Sequence, residues 1–350
     1  MPQLRKDPIT SRWVIVNVEN PSPADFFKDP PNLKSSKTCP FCAGNESMTP
    51  SEIFSIPRKG APPYGGAAPS HDWGAPKSTS SWQVRVVPNK FPALRIEESP
   101  EKYAFGIYDK IGGFGAHEVI VENPDHQKEM SELSLEEVQT ILRVYRERCL
   151  DLRKDPRFKY ILIFKNYGAA AGASLEHPHS QLIALPIVPS RVQGELKGAL
   201  KHFEYTDRCI YCDMLNQERA EKKLTVLEDS DILSLCPFVS RFPFETWILP
   251  KSHEASFDAI SDEKIKSLAK VLKETLQKIK SALKDCSFNW MIHTLPIHGK
   301  EFESFHWHME IIPHLTQVAG FEWGTGFYVN PTPPELAAET LRSARTTFDI

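Results

Sequence analysis

The chain has 350 residues, a hydrophobic content of 41% and a formal net charge of −3 with both signs interspersed. That is enough for two domains or one large one around a substantial core; it excludes a disordered chain and offers no basic block for nucleic acid or a membrane surface. No apolar run approaches the roughly 20 residues of a membrane span, and Met1 to Asp7 lacks the apolar core of a signal peptide. A soluble, cytoplasmic protein is therefore expected, with an organelle address left open.

The high proline count, 29, favours short strands and irregular loops over a helical bundle. Trp13 to Val18 reads as a strand, followed by a polar, proline-rich loop and then Cys39-Pro40-Phe41-Cys42. Residues 57–81 are rich in Pro, Gly, Ser and Ala and read as a long loop, either mobile or covering a site. Trp82 to Val87 and Glu118 to Val121 read as strands, the second ending in Asn123-Pro124-Asp125-His126. Ser134 to Arg153 is a helix: Ser134 and Glu137 make a capping box, and Leu135, Val138, Ile141, Leu142 and Tyr145 form an apolar stripe. Two apolar runs, Tyr160 to Phe164 and Leu182 to Pro186, then flank Gly172-Ala173-Ser174-Leu175-Glu176-His177-Pro178-His179-Ser180-Gln181. His177, His179 and Gln181 stand two apart, so on a strand they share one face. Two histidines and an amide on one sheet face make a poor core and a good site, and a proline between them is the kind of local departure found at functional positions.

A polar, mostly helical connector over 191–208 leads to Cys209-Ile210-Tyr211-Cys212, and the pattern then starts again. Strands at Ile232 to Cys236 and Phe244 to Leu249 end in Pro250-Lys251-Ser252-His253. A helix from Asp262 to about Leu283, a strand from Phe288 to His293, and Phe305 to Pro313 with His306-Trp307-His308-Met309-Glu310 complete it. The two halves share the order Cys-x-x-Cys, strands, histidine, helix, strand, His-x-His. This repeat predicts an α+β fold from a duplicated unit, an antiparallel sheet with one long helix per half, divided as 1–190 and 191–350.

The repeat also groups the metal-binding side chains. Seven cysteines without a secretion signal, four of them in Cys-x-x-Cys pairs, point to metal or redox chemistry rather than a disulfide framework. Each pair has two histidines at matching places downstream, the composition of a tetrahedral zinc site. Cys39, Cys42, His126 and His177 are assigned to one zinc, and Cys209, Cys212, His253 and His306 to a second, two zinc ions per chain. His293, His298, His308 and His314 compete as donors near the second site. A redox role for the pairs and buried, inert thiols are the competing readings. With His177 on a metal, His179 is left as general base or nucleophile. Asn166, Gly168, Gly172 and Ser174 form a turn before it that can present backbone N–H groups and side-chain donors to phosphate oxygens.

The string Asn-x-Gly-x-x-x-Gly-x-Ser-x-x-His-Pro-His-x-Gln, from Asn166 to Gln181, resembles the signature of galactose-1-phosphate uridylyltransferases, a branch of the histidine-triad superfamily. Cys39 to Cys42 with Gly44-Asn45-Glu46, Val87 to Leu94, Asn123 to His126, Phe242 to Glu245 and Phe321 to Gly326 extend the resemblance over nearly the whole chain. It implies that His179 attacks the α-phosphorus of a nucleoside diphosphate sugar, forming a covalent nucleotidyl-histidine. Sugar 1-phosphate leaves, and phosphate or another sugar 1-phosphate takes the nucleotidyl group. Gln181 and Ser174 would bind phosphate oxygens, Asn166 and the backbone of Gly172 and Ala173 would help position them, and Asn89 would contact the nucleotide. Gly324, Thr325 and Gly326 would close over sugar or phosphate, from the same subunit or from the partner subunit of a homodimer. The zinc on His177 would be structural. In the second half His308 takes the place of His179 and Glu310 that of Gln181, without the glycine-rich lead-in, so that half would bind substrate.

The chain departs from many uridylyltransferases in three places. It has no arginines in Val18 to Pro23, it has Leu175-Glu176 before His-Pro-His, and it has Cys209 and Cys212 where a glutamate and histidines serve. It looks closest to the ADP-glucose phosphorylase branch, which transfers AMP from ADP-glucose to phosphate. The alternatives are a UDP-glucose–hexose-1-phosphate uridylyltransferase and a zinc-stabilised nucleotide-binding protein without turnover.

Overall fold

The computed structural model describes residues 3–10, 13–16, 39–58 and 82–346. The expected loop over 57–81 lies outside the described residues from position 59 on, and so do the positions from 17 to 38. The first half contains β1 (Gln3–Lys6), β2 (Trp13–Val16), β3 (Phe54–Pro57), β4 (Trp82–Pro88), β5 (Lys102–Phe105), β6 (Tyr108–Ile111), β7 (Ala116–Val121), α1 (Leu135–Leu152), β8 (Tyr160–Tyr167) and β9 (His179–Leu185). The second contains α2 (Ser190–Thr206), α3 (Ile210–Glu221), β10 (Thr225–Glu228), β11 (Ile232–Leu235), β12 (Thr246–Pro250), α4 (Asp262–Ala282), β13 (Phe288–His293), β14 (His308–Pro313), α5 (Gly320–Thr325), β15 (Tyr328–Asn330) and α6 (Pro334–Ser343).

Ten strands form one sheet in the order β10-β11-β12-β14-β13-β8-β9-β7-β4-β3. Every pairing in it is antiparallel. Read outward from the centre, β8-β9-β7-β4-β3 matches β13-β14-β12-β11-β10, so the sheet repeats as the sequence does. The halves join where β8 pairs with β13, with Asn166 opposite Asn289. β1, β2 and β15 form a separate three-stranded sheet, with β15 parallel to β2, and β5 and β6 form a hairpin.

One face of the large sheet is covered by α1 and α4. The Ser134 capping box is present, and Ser261 caps α4 by accepting from the Lys264 N–H, satisfying donors that helix starts leave free. Val138, Ile141, Leu142 and Tyr145 of α1 and Ile265, Leu268, Leu272 and Leu276 of α4 pack with Val84, Val86, Ile163, Leu182, Ile248 and Ile311 of the strands in a single core. The other face is covered unequally. In the second half, Val192, Leu196, Tyr211 and Leu215 of α2 and α3 pack on Leu233, Leu235, Trp247 and Leu249. In the first half, among the described residues, Cys39, Phe41 and Cys42 pack with Trp82, Val87, Val119 and Val121, and Leu175 lies against them. Burying apolar side chains contributes about 1.5–3 kcal/mol each, so among the described residues the second half has the larger apolar cover on this face. Among the described residues, no helix is long and apolar enough to cross a membrane.

Candidate active site and metal centres

The expected strand carrying His177, His179 and Gln181 on one face begins only at His179. Pro178 has no N–H to give to the ladder, although its carbonyl still accepts from the Glu122 N–H at 3.2 Å. His177 therefore stands outside β9, and its ring turns to Cys42, with Nδ1 3.5 Å from Sγ. His179 and Gln181 remain in the strand. The same break occurs in the second half, where β14 begins at His308 and His306 precedes it.

Both sets of expected metal ligands come together. One ligand atom from each of Cys39, Cys42, His126 and His177 lies within 4.8 Å of the others, and the same holds for Cys209, Cys212, His253 and His306. Cys42 Sγ is 3.3 Å from His126 Nδ1. Cys212 Sγ is 3.5 Å from His253 Nδ1 and 3.6 Å from His306 Nδ1. Tetrahedral zinc, with bonds of about 2.0–2.3 Å, sets its ligands about 3.3–3.8 Å apart, so both quartets have the right size and donor type. Three of the four far nitrogens are held as metal-binding histidines usually are, while His126 Nε2 is buried without a partner among the described residues. His177 Nε2 donates to the Asn123 carbonyl at 2.8 Å, His306 Nε2 to the Pro250 carbonyl at 3.0 Å and His253 Nε2 to the Phe302 carbonyl at 2.6 Å. The cysteines are free thiols, each pair facing imidazole nitrogens rather than forming a disulfide. Burial pushes the Cys42 thiol up to about 11, whereas hydrogen bonds, first from the Cys212 thiol, draw Cys209 down to about 2.

His179 Nδ1 lies 2.7 Å from the carbonyl of His177. A carbonyl only accepts, so the ring proton is on Nδ1 and the lone pair is on Nε2. Phe41 packs against this ring at 5.2 Å, and the residue is 6% exposed. Burial above all holds the imidazole below its ordinary pKa; nearby Lys165 adds to this, and the bond to the His177 carbonyl works against it. The ring is thus neutral near pH 7, as a nucleophile requires.

Two amides stand near the histidine, each held by its carbonyl oxygen. Asn166 Oδ1 accepts from Asn289 Nδ2 at 2.8 Å, and the same NH2 also donates to the Ala171 carbonyl at 2.9 Å. Gln181 Oε1 lies 2.8 Å from His117 Nε2 and 3.4 Å from Asn89 Nδ2. The turn before the motif bends at Gly168 and Gly172, with φ of +80° and +85°. These are left-handed values that favour glycine, and a Cβ on Gly168 would also strike Ser287 Oγ. The N–H groups of Gly172 and Ala173 close this turn on the carbonyls of Ala169 and Gly168, while the side chain of Ser174 is exposed.

Comparisons with known proteins agree with this geometry. Residues 74–189 match the family model described as galactose-1-phosphate uridyl transferase, N-terminal domain, and residues 162–333 match the C-terminal domain. The chain is 38% identical to an ADP-glucose phosphorylase of Arabidopsis thaliana, over 99% of this chain and 94% of the relative. It is 31% identical to a galactose-1-phosphate uridylyltransferase of Thermotoga maritima, over 98% of each. The chain belongs to the galactose-1-phosphate uridyl transferase family. It is a nucleotidyltransferase by that membership. A crystal structure of an Arabidopsis thaliana ADP-glucose phosphorylase with bound ADP-glucose superposes with a TM-score of 0.81 at 37% identity, covering 99% of this chain and 100% of that one. A uridylyltransferase structure gives 0.74 at 27% identity, covering 98% of each chain.

The second half holds its matching residues differently. His308 is fully buried, with Nδ1 3.1 Å from the His306 carbonyl, so its tautomer is that of His179. Its ring stacks on Trp247 and His293, each at 4.9 Å, and Tyr211 lies at 5.2 Å. Its Nε2 is buried without a hydrogen-bond partner among the described residues. Glu310 is bound by Arg241 at 2.6 Å and Arg191 at 2.7 Å, and His293 Nδ1 lies 2.9 Å from Glu195. Glu195, His293, His308 and Glu310 thus form a third buried cluster of potential ligands, which includes the expected competitors His293 and His308. Gly324 and Thr325 end the exposed helix α5, and Gly326 caps it at a φ of +71°. Among the described residues, no hydrogen bond or ring contact joins these three to the His179 site.

Sequence reading missed His117, Asn289 and Glu195. Asn289 carried a signal, as a polar residue in an otherwise apolar strand. His117 and Glu195 meet their partners across long chain separations that one sequence does not reveal.

Proposed function

We propose that His179 is the nucleophile of a ping-pong nucleotidyl transfer from ADP-glucose to inorganic phosphate. The observation that carries this is the His179 ring itself, neutral, with Nδ1–H tied to the His177 carbonyl and the Nε2 lone pair turned from that bond. Nε2 attacks the α-phosphorus of ADP-glucose. The bond from that phosphorus to the bridging oxygen breaks, and glucose 1-phosphate leaves with the electron pair. The ring now carries positive charge, which its Nδ1–H shares with the His177 carbonyl. Phosphate then attacks the same phosphorus, the P–N bond breaks, ADP leaves and the neutral imidazole returns.

The NH2 groups of Gln181 and Asn166 and the Ser174 hydroxyl donate to the non-bridging oxygens as charge builds there, and Asn89 and the backbone at Gly172 and Ala173 help position the nucleotide. We take Cys39, Cys42, His126 and His177 to hold one zinc ion and Cys209, Cys212, His253 and His306 a second. When bound, each ion pins the segment before its strand, β9 or β14, and needs no open position. Residues 1–190 serve as the catalytic half, residues 191–350 support it, and the loop with Gly324, Thr325 and Gly326 reaches the site of the partner in a homodimer.

The choice of ADP-glucose rests on the 38% identity with the Arabidopsis thaliana enzyme along the whole chain. Incubation with ADP-glucose or UDP-glucose, each labelled in its α-phosphate, tests it. Label transfer to protein from ADP-glucose, and release of labelled ADP on adding phosphate, are expected. Labelling from UDP-glucose alone would instead favour a hexose-1-phosphate uridylyltransferase. Metal analysis should give about two zinc ions per chain; none would return the cysteine pairs to redox chemistry.

A further inference from the structure

The geometry points to His117 as the positioning residue that turns the Gln181 amide so that its NH2 faces the transferring phosphoryl group. This rests on the proposed reading of the His179 site and adds a residue to it.

Each orientation in this group is forced by a backbone N–H. Ala93 N–H donates to His117 Nδ1 at 3.1 Å, so Nδ1 carries the lone pair and the proton is on Nε2. Phe91 N–H donates to Asn89 Oδ1 at 2.9 Å, which turns the Asn89 NH2 the other way. Two donors, His117 Nε2–H at 2.8 Å and Asn89 NH2 at 3.4 Å, the two nitrogens themselves 3.1 Å apart, then share one end of the Gln181 side chain. That end must be the carbonyl oxygen, because a flipped amide would set its NH2 against two N–H donors. The bond from His117 is the shorter and so the stronger of the two. The NH2 is left at the other end, with no hydrogen-bond partner among the described residues.

The strand register supports the same arrangement. Val119 of β7 lies opposite Gln181 of β9, and His117 lies opposite Ile183. Alternation places Val119 and His117 on the face that carries His179 and Gln181. Asn89 joins them through its backbone N–H to the His117 carbonyl at 2.8 Å. Burial lowers the His117 pKa and the bond to Gln181 raises it; the lowering prevails, and the neutral ring keeps the single tautomer that the arrangement needs. The second half has Glu245 at the position of His117 and Glu310 at that of Gln181, and there Arg241 bridges the two carboxylates. The first half therefore combines a fixed donor with an amide, whose NH2 faces away from His117, where the second ties two carboxylates to a guanidinium.

A double-mutant cycle on the rate of nucleotidyl-enzyme formation at saturating ADP-glucose tests this, with His117→Phe, Gln181→Met and both together. His117→Phe keeps a ring and loses the donor, and His117→Gln returns an N–H donor near the place of Nε2. The expected results are a loss of about tenfold in His117→Phe, the effect of one hydrogen bond, recovery to within about threefold in His117→Gln, and no further loss when His117→Phe is added to Gln181→Met. An unchanged rate in His117→Phe, or the same tenfold loss in the Gln181→Met background, would overturn the inference, since His117 would then not act through Gln181. Absence of nucleotidyl-enzyme in the unmodified protein would overturn the reading of the site as well, so the two failures are told apart in one experiment.

Discussion

The strands that begin at His179 and at His308 are one strand built twice, and they end in opposite situations. Both follow a histidine that turns to a Cys-x-x-Cys pair. Both histidines give Nδ1–H to the carbonyl two residues back. Both rings meet the aromatic residue of the pair, Phe41 or Tyr211, at 5.2 Å. The difference comes from what covers the sheet. Helices α2 and α3 lie over the second half and enclose His308, while in the first half the described residues on that face are Asn89, His117, Gln181 and the glycine turn beside Cys39, Phe41 and Cys42. On the proposed function, the duplication supplied two equivalent histidine positions, of which the described apolar helices enclose the second.

The largest effect expected from this comparison is at His179. His179→Ala should lower turnover by about 10⁴-fold or more and abolish the acid-labile nucleotidyl adduct, measured by quenched-flow labelling; an adduct that survives would move the nucleophile elsewhere. Next is the buried charge that replaces chemistry in the second half. Arg241→Met removes one of two guanidinium partners from Glu310 and leaves Glu245 short as well. Unfolding in denaturant should show a loss of about 3–5 kcal/mol, the usual consequence of breaking a buried pair on one side, with the labelling rate little changed. Asn289 tests whether the halves work together. Asn289→Ala frees Asn166 to rotate and should slow adduct formation about tenfold, although Asn289 belongs to the second half; an unchanged rate would make that contact structural only. The smallest effect belongs to His308. His308→Gln should leave adduct formation within about threefold of the unmodified protein, because Trp247, His293 and Tyr211 enclose the ring; a loss as deep as at His179 would mean that the second strand takes part in chemistry.

Much of this was legible in the sequence because it is local or repeated. The Ser134 capping box, the apolar stripes of α1 and α4 and the two Cys-x-x-Cys pairs are short-range patterns, and the repeat paired each with its distant histidines. The shared strand face held for His179 and Gln181 but not for His177, which lies before β9; the same break stands before His308, where Trp307 takes the place of Pro178, and in both halves the histidine outside the strand turns to the cysteine pair. His117 was passed over because its bonds depend on the β7–β9 register, and Glu195 because α2 must fold back over the sheet to reach His293. The enclosure of His308 was hidden for the same reason: a polar connector gives little sign of which sheet face it will cover.

The most direct test is mass spectrometry of the protein quenched during turnover with ADP-glucose, followed by peptide mapping. The account predicts one AMP residue attached at His179, lost on adding phosphate and absent from His179→Ala. An adduct on any other residue, or one formed from UDP-glucose and not from ADP-glucose, would contradict it.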